Sequence, residues 1–309
     1  MTVVEWLLDS DPSIRWQVMR DLTEEPEPVV AAERSRVASE GWGARLLALQ
    51  APDGQWGGGT YRPYWTSTYF SLLLLRELGL DPASQQARRA VGLVRENATW
   101  QGVLPEDAAW HGRPFFSGEV EPCINGMVLA LAAYFGEPCE QVLERLLGEQ
   151  LDDGGWNCWA PPSTRSSFHT TICVLEGLLE YERVNGASAA VSEARARAQE
   201  YLLERRMFRK LSSGEVIERD WTLFSFPTWW HYDVLRGLDY MRRAGVEPDD
   251  RIAEAIELVA NNRRSDGRWP LQNPHAGKLH FDMEEGADEP SRWNTLRALR
   301  VLNWAGHGG

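Results

Sequence analysis

Lysine is almost missing from this sequence of 309 residues, and cysteine is scarce. Lys210 and Lys278 are the only lysines, and all other cationic side chains are arginines. With a formal net charge of −13, this composition argues against a nucleic acid or an anionic membrane as partner, because both need a cationic surface. Four cysteines without a Cys-x-x-Cys pair do not indicate a disulfide framework in a chain of this length. We therefore expect each cysteine to belong either to the core or to chemistry.

Long apolar runs are missing as well. No run reaches the roughly 18 to 20 residues that a membrane-spanning helix needs. The first residues also lack the basic segment and long apolar stretch of a signal peptide. These absences lead us to expect a cytoplasmic protein without a transmembrane span. Hydrophobic residues make up 43% of the sequence, which is enough for a sizeable core.

Tryptophan, in contrast, is abundant, with 15 residues. Three loops share the pattern Asp-Gly-x-Trp, at residues 53–56, 153–156 and 266–269, and a looser copy, Trp-Gln-Gly, occupies 100–102. Each copy follows a helical stretch and precedes a more apolar one, which indicates stacked repeats. Glycine tolerates positive φ just past a helix end, and the tryptophan can then wedge between helices and present its ring N–H to a carbonyl. We interpret these tryptophans as structural.

The helices on either side of these loops differ in polarity. The second helix of each pair is apolar on most faces and contains Gly, Ala and Ser, which let neighbours pack closely. The first helices, such as residues 193–206, are amphipathic. Buried inner helices that alternate with charged outer helices predict an all-α fold, an α/α toroid, over residues 41–309. Residues 1–40 lack the repeat, and we expect them to form a helical cap on the same structural unit.

The Asp-Gly-x-Trp loops resemble the QW-type repeats of squalene–hopene cyclases and the glycine- and aromatic-rich repeats of protein prenyltransferase β subunits. The resemblance covers roughly residues 42–306 and implies the toroid, but one fold carries many functions. Protonation-initiated cyclases have an Asp-x-Asp-Asp acid motif, and magnesium-dependent ionisation of prenyl diphosphates uses Asp-Asp-x-x-Asp. Neither motif occurs in this sequence.

A more specific resemblance, to the prenyltransferase β subunits, concerns the starts of two inner helices. Those enzymes hold catalytic zinc with a carboxylate and a cysteine two residues apart, and with a histidine that opens the next inner helix. Glu121-Pro122-Cys123 matches the first element with Glu in place of Asp, and residues 168–173, which include His169, match the second. The resemblance implies that Glu121, Cys123 and His169 hold Zn²⁺. Three protein ligands with an open position are typical of catalytic zinc.

Local chemistry supports this spacing. Pro122 disfavours a helical conformation at Glu121, so we expect an extended approach in which Glu121 and Cys123 point to the same side. The following helix N-terminus should lower the pKa of Cys123 towards the thiolate. Cys158, in the loop between the two ligand helices, and His231, at the start of a later inner helix, are reserve ligands.

The starts of the inner helices also supply candidates for a substrate pocket. We expect aromatic side chains and one arginine to bind an apolar, isoprenoid-like molecule. These residues are Trp65, Trp159, Phe168, Trp229, Trp230, Tyr232 and Arg165. Candidates for a general acid or base are Tyr232, Asp233 and Glu285.

Three functions stay open at this point. The first is a zinc enzyme that transfers a prenyl or alkyl group to a thiol, or that catalyses zinc-assisted hydrolysis or lysis. The second is a metal-free protein of the terpene cyclase type that uses an unrecognised acid. The third is a toroid that binds a hydrophobic ligand or partner without catalysis. Stoichiometric zinc would separate the first function from the other two.

Overall fold

A computed structural model describes residues 1–101 and 111–306. Within these ranges, the regular secondary structure consists of helices and one short pair of strands. The two-residue strands β1 (Trp269–Pro270) and β2 (Pro290–Ser291) are antiparallel. The helices are α1 (Val3–Leu8), α2 (Pro12–Asp21), α3 (Glu27–Ser35), α4 (Gly41–Ala48), α5 (Thr68–Leu78), α6 (Gln85–Asn97), α7 (Pro122–Phe135), α8 (Glu140–Gly148), α9 (Phe168–Asn185), α10 (Ala189–Glu204), α11 (Val234–Arg243), α12 (Ala253–Asn261) and α13 (Arg292–Trp304). The all-α fold class is confirmed, and closure into a toroid stays a prediction. None of the helices described is both long enough and apolar enough to cross a membrane.

The chain folds as two compact units. The first unit contains residues 1–34, 199–276 and 281–306, and the second contains the described part of Ser35–Ala198 together with Gly277–His280. The predicted cap, residues 1–40, is therefore divided between the two units. Its role as a cap stays a prediction.

In the second unit, two copies of the Asp-Gly-x-Trp loop make the same hydrogen bonds. Both tryptophan rings are fully buried. Each ring N–H donates to a carbonyl ten residues earlier, and each backbone N–H donates to a threonine hydroxyl of the next helix. The sets are Trp56 with Leu46 (2.8 Å) and Thr68 (3.1 Å), and Trp156 with Leu146 (2.7 Å) and Thr171 (3.1 Å).

The third copy, in the first unit, follows the same rule. The ring N–H of Trp269 donates to the Val259 carbonyl at 2.7 Å, and its backbone N–H donates to the Thr295 hydroxyl at 3.0 Å. The prediction that these rings bond to carbonyls is confirmed in all three copies. Trp100, in the looser copy, instead donates forward in the chain to the Phe115 carbonyl at 2.7 Å. Gly102 of that copy lies outside the described residues.

Close packing of α7 on α9 brings the starts of these two helices together. A Cβ atom on Gly126 of α7 would lie 2.6 Å from the carbonyl oxygen of Cys173 on α9, and one on Gly177 would meet the backbone of Gly126. Only glycine permits this approach, because the Cβ atom of any other residue essentially never comes within 3.0 Å of a heavy atom outside its own residue and its chain neighbours. Gly126 and Cys173 each lie in the second turn of their helix. The first turns, which contain the predicted zinc ligands, are therefore neighbours.

In the first unit, α13 packs against α2, α11 and α12. The buried Arg300 of α13 donates to the side chain of Gln17 on α2 at 2.9 Å and pairs with Asp21 at the end of the same helix. These buried polar contacts fix α2 on α13, because an arginine inside a protein needs partners for its charge.

Candidate metal centre

The first turn of α7 is arranged around Pro122. Proline lacks an N–H and favours the first position of a helix. Helix α7 therefore begins at Pro122, with Glu121 as an N-cap in extended conformation (φ −83°, ψ 128°). Cys123 is thus the second helical residue, which corrects the expectation that Glu121 and Cys123 share one extended segment. The Glu121 carboxylate does not cap the helix, and its Oε2 atom accepts a hydrogen bond from the Cys123 thiol at 3.5 Å.

Three of the predicted ligand residues meet at this point. The sulfur atoms of Cys123 and Cys158 are 2.9 Å apart, and one ligand atom from each of Glu121, Cys123 and Cys158 lies within 4.8 Å of the other two. We name these three residues the thiol–carboxylate cluster. Within residues 1–101 and 111–306, no other set of three or more His, Cys, Asp or Glu side chains meets this limit. Glu121 is exposed and both cysteines are half-buried, so solvent reaches the cluster.

Thr170, on the first turn of α9, holds Cys158 in place. Its buried Oγ1 atom accepts a hydrogen bond from the backbone N–H of Cys158 and lies 3.3 Å from both that nitrogen and the Cys158 sulfur. Cys158 also follows the anchored Trp156 by two residues, so the repeat loop positions the thiol. The Thr170 contact depends on how residues 157–167 fold back, and no sequence pattern singled it out.

His169 does not join the cluster. It is the second residue of α9 and is half-buried, but its ring nitrogens do not lie within 4.8 Å of all the ligand atoms of the other three residues. The structure thus groups two of the main predicted ligands, Glu121 and Cys123, with the reserve ligand Cys158. That any of these residues binds zinc stays a prediction.

The electrostatics of the cluster differ from expectation. The hydrogen bond between Cys158 and Cys123, together with burial, raises the pKa of Cys123 well above its usual value, which is the opposite of the lowering expected from the helix N-terminus. Burial, together with the negative charges of Cys123 and Glu121, also raises the pKa of Tyr61. The Tyr61 phenol therefore belongs to the surroundings of the cluster, although the repeat pattern did not indicate it.

Tyr61 is also part of a group of aromatic rings in the second unit. Its ring centroid lies 5.8 Å from that of Tyr64, 5.4 Å from that of Tyr69 and 5.3 Å from that of Phe70. The predicted pocket residue Trp65 packs edge-on against Phe70 at 4.7 Å. Trp65 therefore belongs to the same group of aromatic rings as Tyr61.

The other predicted pocket residues of the second unit differ in exposure. Phe168 is buried at the start of α9. Trp159 is 73% exposed, and Arg165 is exposed too, so neither side chain is enclosed within the unit. Trp159 directly follows Cys158, which places it at the solvent side of the thiol–carboxylate cluster.

The remaining predicted pocket residues belong to the first unit. Trp229 is buried, and the ring of Trp230 stacks on His231 at 3.7 Å between centroids. His231 stacks in turn on His275 at 3.6 Å. Burial, and secondarily the charge of His275, lowers the pKa of His231 to about 3. The reserve ligand His231 is therefore part of an aromatic stack and lies outside the thiol–carboxylate cluster.

Two predicted catalytic residues form structural hydrogen bonds ahead of α11. The buried Tyr232 hydroxyl donates to the Met207 carbonyl at 2.7 Å, and burial raises its pKa well above the usual value. Asp233 is the N-cap of α11, where its carboxylate accepts from the backbone N–H of Arg236 at 2.7 Å and from the Ser225 hydroxyl at 3.2 Å. These contacts give both side chains a role in holding the turn; a catalytic role stays a prediction.

The third predicted catalytic residue, Glu285, precedes α13, and its neighbour Glu284 has a carboxyl group with a raised pKa. Glu285 is exposed. Glu284 is half-buried and accepts hydrogen bonds from the Ser291 hydroxyl at 2.6 Å and from the backbone N–H groups of Arg292 and Trp293. Burial nevertheless raises the pKa of Glu284 to about 7. With this pKa, Glu284 can exchange a proton near neutral pH.

Comparison with known proteins adds similar structures. No family model matches the chain, and no curated protein matches it. The chain is similar to the apo structure of the type II terpene cyclase MstE from Scytonema, at 17% identity and a TM-score of 0.45, over 96% of this chain and 89% of that chain. A variant of MstE in complex with geranylgeranyl dihydroxybenzoate, its substrate, aligns at 16% identity and a TM-score of 0.47, over 95% and 86% of the two chains. A variant in complex with its product, merosterolic acid A, aligns at 17% identity and a TM-score of 0.46, over 96% and 87%.

Proposed function

We propose that this protein is a zinc-dependent enzyme that acts on an apolar substrate and holds the metal with Glu121, Cys123 and Cys158. The observation that carries the proposal is the thiol–carboxylate cluster, in which two sulfurs and a carboxylate lie within 4.8 Å of one another. Structural zinc sites close around the ion with four protein ligands, whereas catalytic sites use three and keep a position for water or substrate. A solvent-accessible set of three fits the catalytic kind.

The chemistry of the donor set favours zinc among divalent cations. Cysteine sulfur and carboxylate oxygen are both common zinc ligands, whereas magnesium and calcium take oxygen ligands almost exclusively. Bound zinc acts as a Lewis acid towards a carbonyl or activates a coordinated water or thiol as a nucleophile. Both reactions agree with transfer to a thiol and with hydrolysis, which are among the reactions that the sequence left open.

Neighbouring residues would position the ligands. Thr170 orients the Cys158 loop through its hydroxyl, and Pro122 fixes the turn that places Glu121 beside Cys123. Outer contacts of this kind matter because they hold ligand side chains in the orientation that a metal needs.

Exposed apolar side chains next to the cluster support an apolar substrate. Val120 is 37% exposed and directly precedes Glu121; Trp159 is 73% exposed and directly follows Cys158. Tyr64, which packs on Tyr61, is 38% exposed. Apolar surface around a few convergent polar groups is typical of a binding site for a small apolar molecule. The isoprenoid class of that molecule rests on the resemblance of the repeats and is part of the proposal.

A metal-free reaction that begins with protonation is the second candidate, and Glu284 favours it. A half-buried carboxyl with a pKa of about 7 holds its proton in a large share of molecules at neutral pH and can act as a general acid. This candidate corresponds to a protein of the terpene cyclase type without the Asp-x-Asp-Asp motif. It predicts that Glu284→Gln abolishes turnover of a polyene substrate while zinc removal does not.

Metal content tests the zinc proposal. Purified, untagged protein is loaded with zinc, freed of excess and measured by plasma mass spectrometry. We expect about one zinc per chain in the wild type, and none in Cys123→Ala and Cys158→Ala with the helical circular dichroism unchanged. Cys139→Ala is the matched control, since this buried cysteine lies outside the cluster and its loss should leave zinc bound. A wild type without zinc, or zinc that persists in both cluster variants, contradicts the proposal.

A further inference from the structure

The two sulfurs of the thiol–carboxylate cluster have a second reaction open to them. Cys123 and Cys158 lie 2.9 Å apart, sulfur to sulfur, and both are half-buried free thiols. Cys139 and Cys173 are only 5% and 0% exposed. A dissolved oxidant therefore reaches the cluster thiols and not the other two, and access is one of the main factors in thiol oxidation.

We propose that Cys123 and Cys158 form a reversible disulfide with a hydroperoxide as oxidant, and that this bond removes both sulfurs from the metal. Metal release rests on the proposed function, whereas disulfide formation does not. The site would then be controlled by oxidation, with the metal-binding dithiol as the active state and the disulfide as the inactive state.

The two sulfur atoms already lie close to bonding distance. A disulfide has a sulfur–sulfur distance of about 2.0 Å, so the two atoms must approach each other by about 0.9 Å from their present 2.9 Å. Cys158 lies in a turn between Trp156 and α9 and not inside a helix, and its thiol contacts the Thr170 hydroxyl at 3.3 Å. This contact and the hydrogen bond from the Cys158 thiol to Cys123 are both weak compared with a covalent S–S bond.

The oxidation is balanced by the peroxide. One thiol attacks the O–O bond and becomes a sulfenic acid, with release of an alcohol, or of water when the oxidant is hydrogen peroxide. The second thiol then displaces water from the sulfenic acid, which forms the S–S bond. In total, one O–O bond is broken and two electrons pass from sulfur to oxygen; the two protons taken up by the water or alcohol come from the thiols in the metal-free protein and from solvent when the sulfurs are zinc-bound thiolates.

Loss of the metal follows from the change in the donors. Zinc binds thiolate sulfur, and a disulfide sulfur has neither the charge nor the basicity of a thiolate. Glu121 would remain as the one ligand of the cluster, and one exposed carboxylate does not retain zinc. A thiol reductant restores both ligands.

The test exposes the zinc-loaded full-length protein to a small molar excess of hydrogen peroxide. Free thiols are then alkylated, and peptides from digestion with trypsin and chymotrypsin are mapped by mass spectrometry. Chymotrypsin cuts at Tyr134 and Phe135, which separates Cys123 from Cys139. Released zinc is measured in the filtrate of the same sample. Cys139→Ser is the matched control that keeps the pair, and Cys158→Ser is the variant that removes it.

We expect a Cys123–Cys158 cross-link in the wild type and in Cys139→Ser, zinc release in step with it, and reversal of both by dithiothreitol and added zinc. Cys158→Ser should instead give a Cys123 oxidised without a cross-link. Thiols that stay reduced, or that pass to sulfinic acid without cross-linking while the wild type holds zinc, overturn this inference and leave the proposed function standing. If the cross-link forms in a wild type that does not bind zinc, the disulfide is confirmed. The claim that the disulfide releases the metal and the proposed function are then both wrong.

Discussion

The starts of α7 and α13 both carry a glutamate, and they use it differently. At α13, the Glu284 carboxylate accepts from the Ser291 hydroxyl and two backbone N–H groups, and Ser291 itself accepts from the Asn294 N–H at 2.9 Å. At α7, the Glu121 side chain makes no capping bond and faces the Cys123 thiol. One glutamate therefore stabilises its helix end, and the other is available to a ligand.

Proline accounts for part of this difference. Pro122 occupies the first helical position of α7, where its missing N–H removes one of the donors that a cap would satisfy. Helix α13 begins with Arg292, whose N–H remains and is bonded by Glu284. The Glu284 carboxylate thus bonds to the backbone at its helix start, whereas the Glu121 carboxylate does not.

The largest expected effect is on zinc affinity. Glu121→Gln should weaken zinc binding by about a hundredfold or more, because even the loss of an outer contact to a metal ligand costs ten- to a hundredfold. Glu284→Gln, the same change at the other helix start, should leave the affinity unchanged. Competition with a chromophoric chelator measures both constants. Equal zinc affinities in Glu121→Gln and Glu284→Gln would show that Glu121 is not a zinc ligand.

The second effect is on the pH dependence of stability, and it should appear only at α13. The pKa of Glu284, about 7, lies above that of an unfolded glutamate, so its stabilisation is complete below the unfolded pKa and is lost as the pH rises through about 7. The loss should reach about 3 kcal/mol. In Glu284→Gln, the change in unfolding free energy between about pH 4.0 and about pH 7.5, which lie outside the two pKa values on either side, should shrink by this amount. Urea unfolding at both pH values measures it, with the exposed Glu285→Gln as the control. An unchanged slope would contradict the raised pKa.

The smallest effect is the loss of a cap. Ser291→Ala should lower the free energy of unfolding by about 1 kcal/mol, because it removes a hydroxyl that bonds both to Asn294 and to Glu284. Ser167→Ala at α9 is the comparison, and its effect should be smaller because that hydroxyl is 3.5 Å from the Thr170 N–H. Thermal unfolding of both variants checks this order, and a larger loss in Ser167→Ala would reverse it.

Much of the fold was predictable because its signals are local. The Asp-Gly-x-Trp loops indicated buried rings bonded to carbonyls, and Trp56, Trp156 and Trp269 all follow that rule. Glycine inside the apolar helices indicated close packing, and α9 does lie so close to Gly126 that a larger side chain would not fit there. Both signals are short sequence patterns that can be read without knowing the long-range contacts they lead to, such as that of Gly126 with Cys173.

The candidate site was less predictable because it combines a local element with a distant one. The pairing of Glu121 with Cys123 follows from their spacing. The choice of Cys158 over His169 depends on the path of residues 157–167, which a contact with Thr170 helps to fix. Burial is equally invisible in a sequence, so the raised pKa of Glu284 could not be predicted from it.

X-ray absorption at the zinc edge tests the central claim most directly. If Glu121, Cys123 and Cys158 hold the metal, the zinc-loaded wild type will show two sulfur neighbours at about 2.3 Å, with lighter atoms completing the coordination. Cys158→Ala, if it retains any metal, will show one sulfur at most. A wild-type spectrum with a single sulfur and a histidine pattern would contradict the account and favour a site made of Glu121, Cys123 and His169; a spectrum without sulfur would rule out both ligand sets.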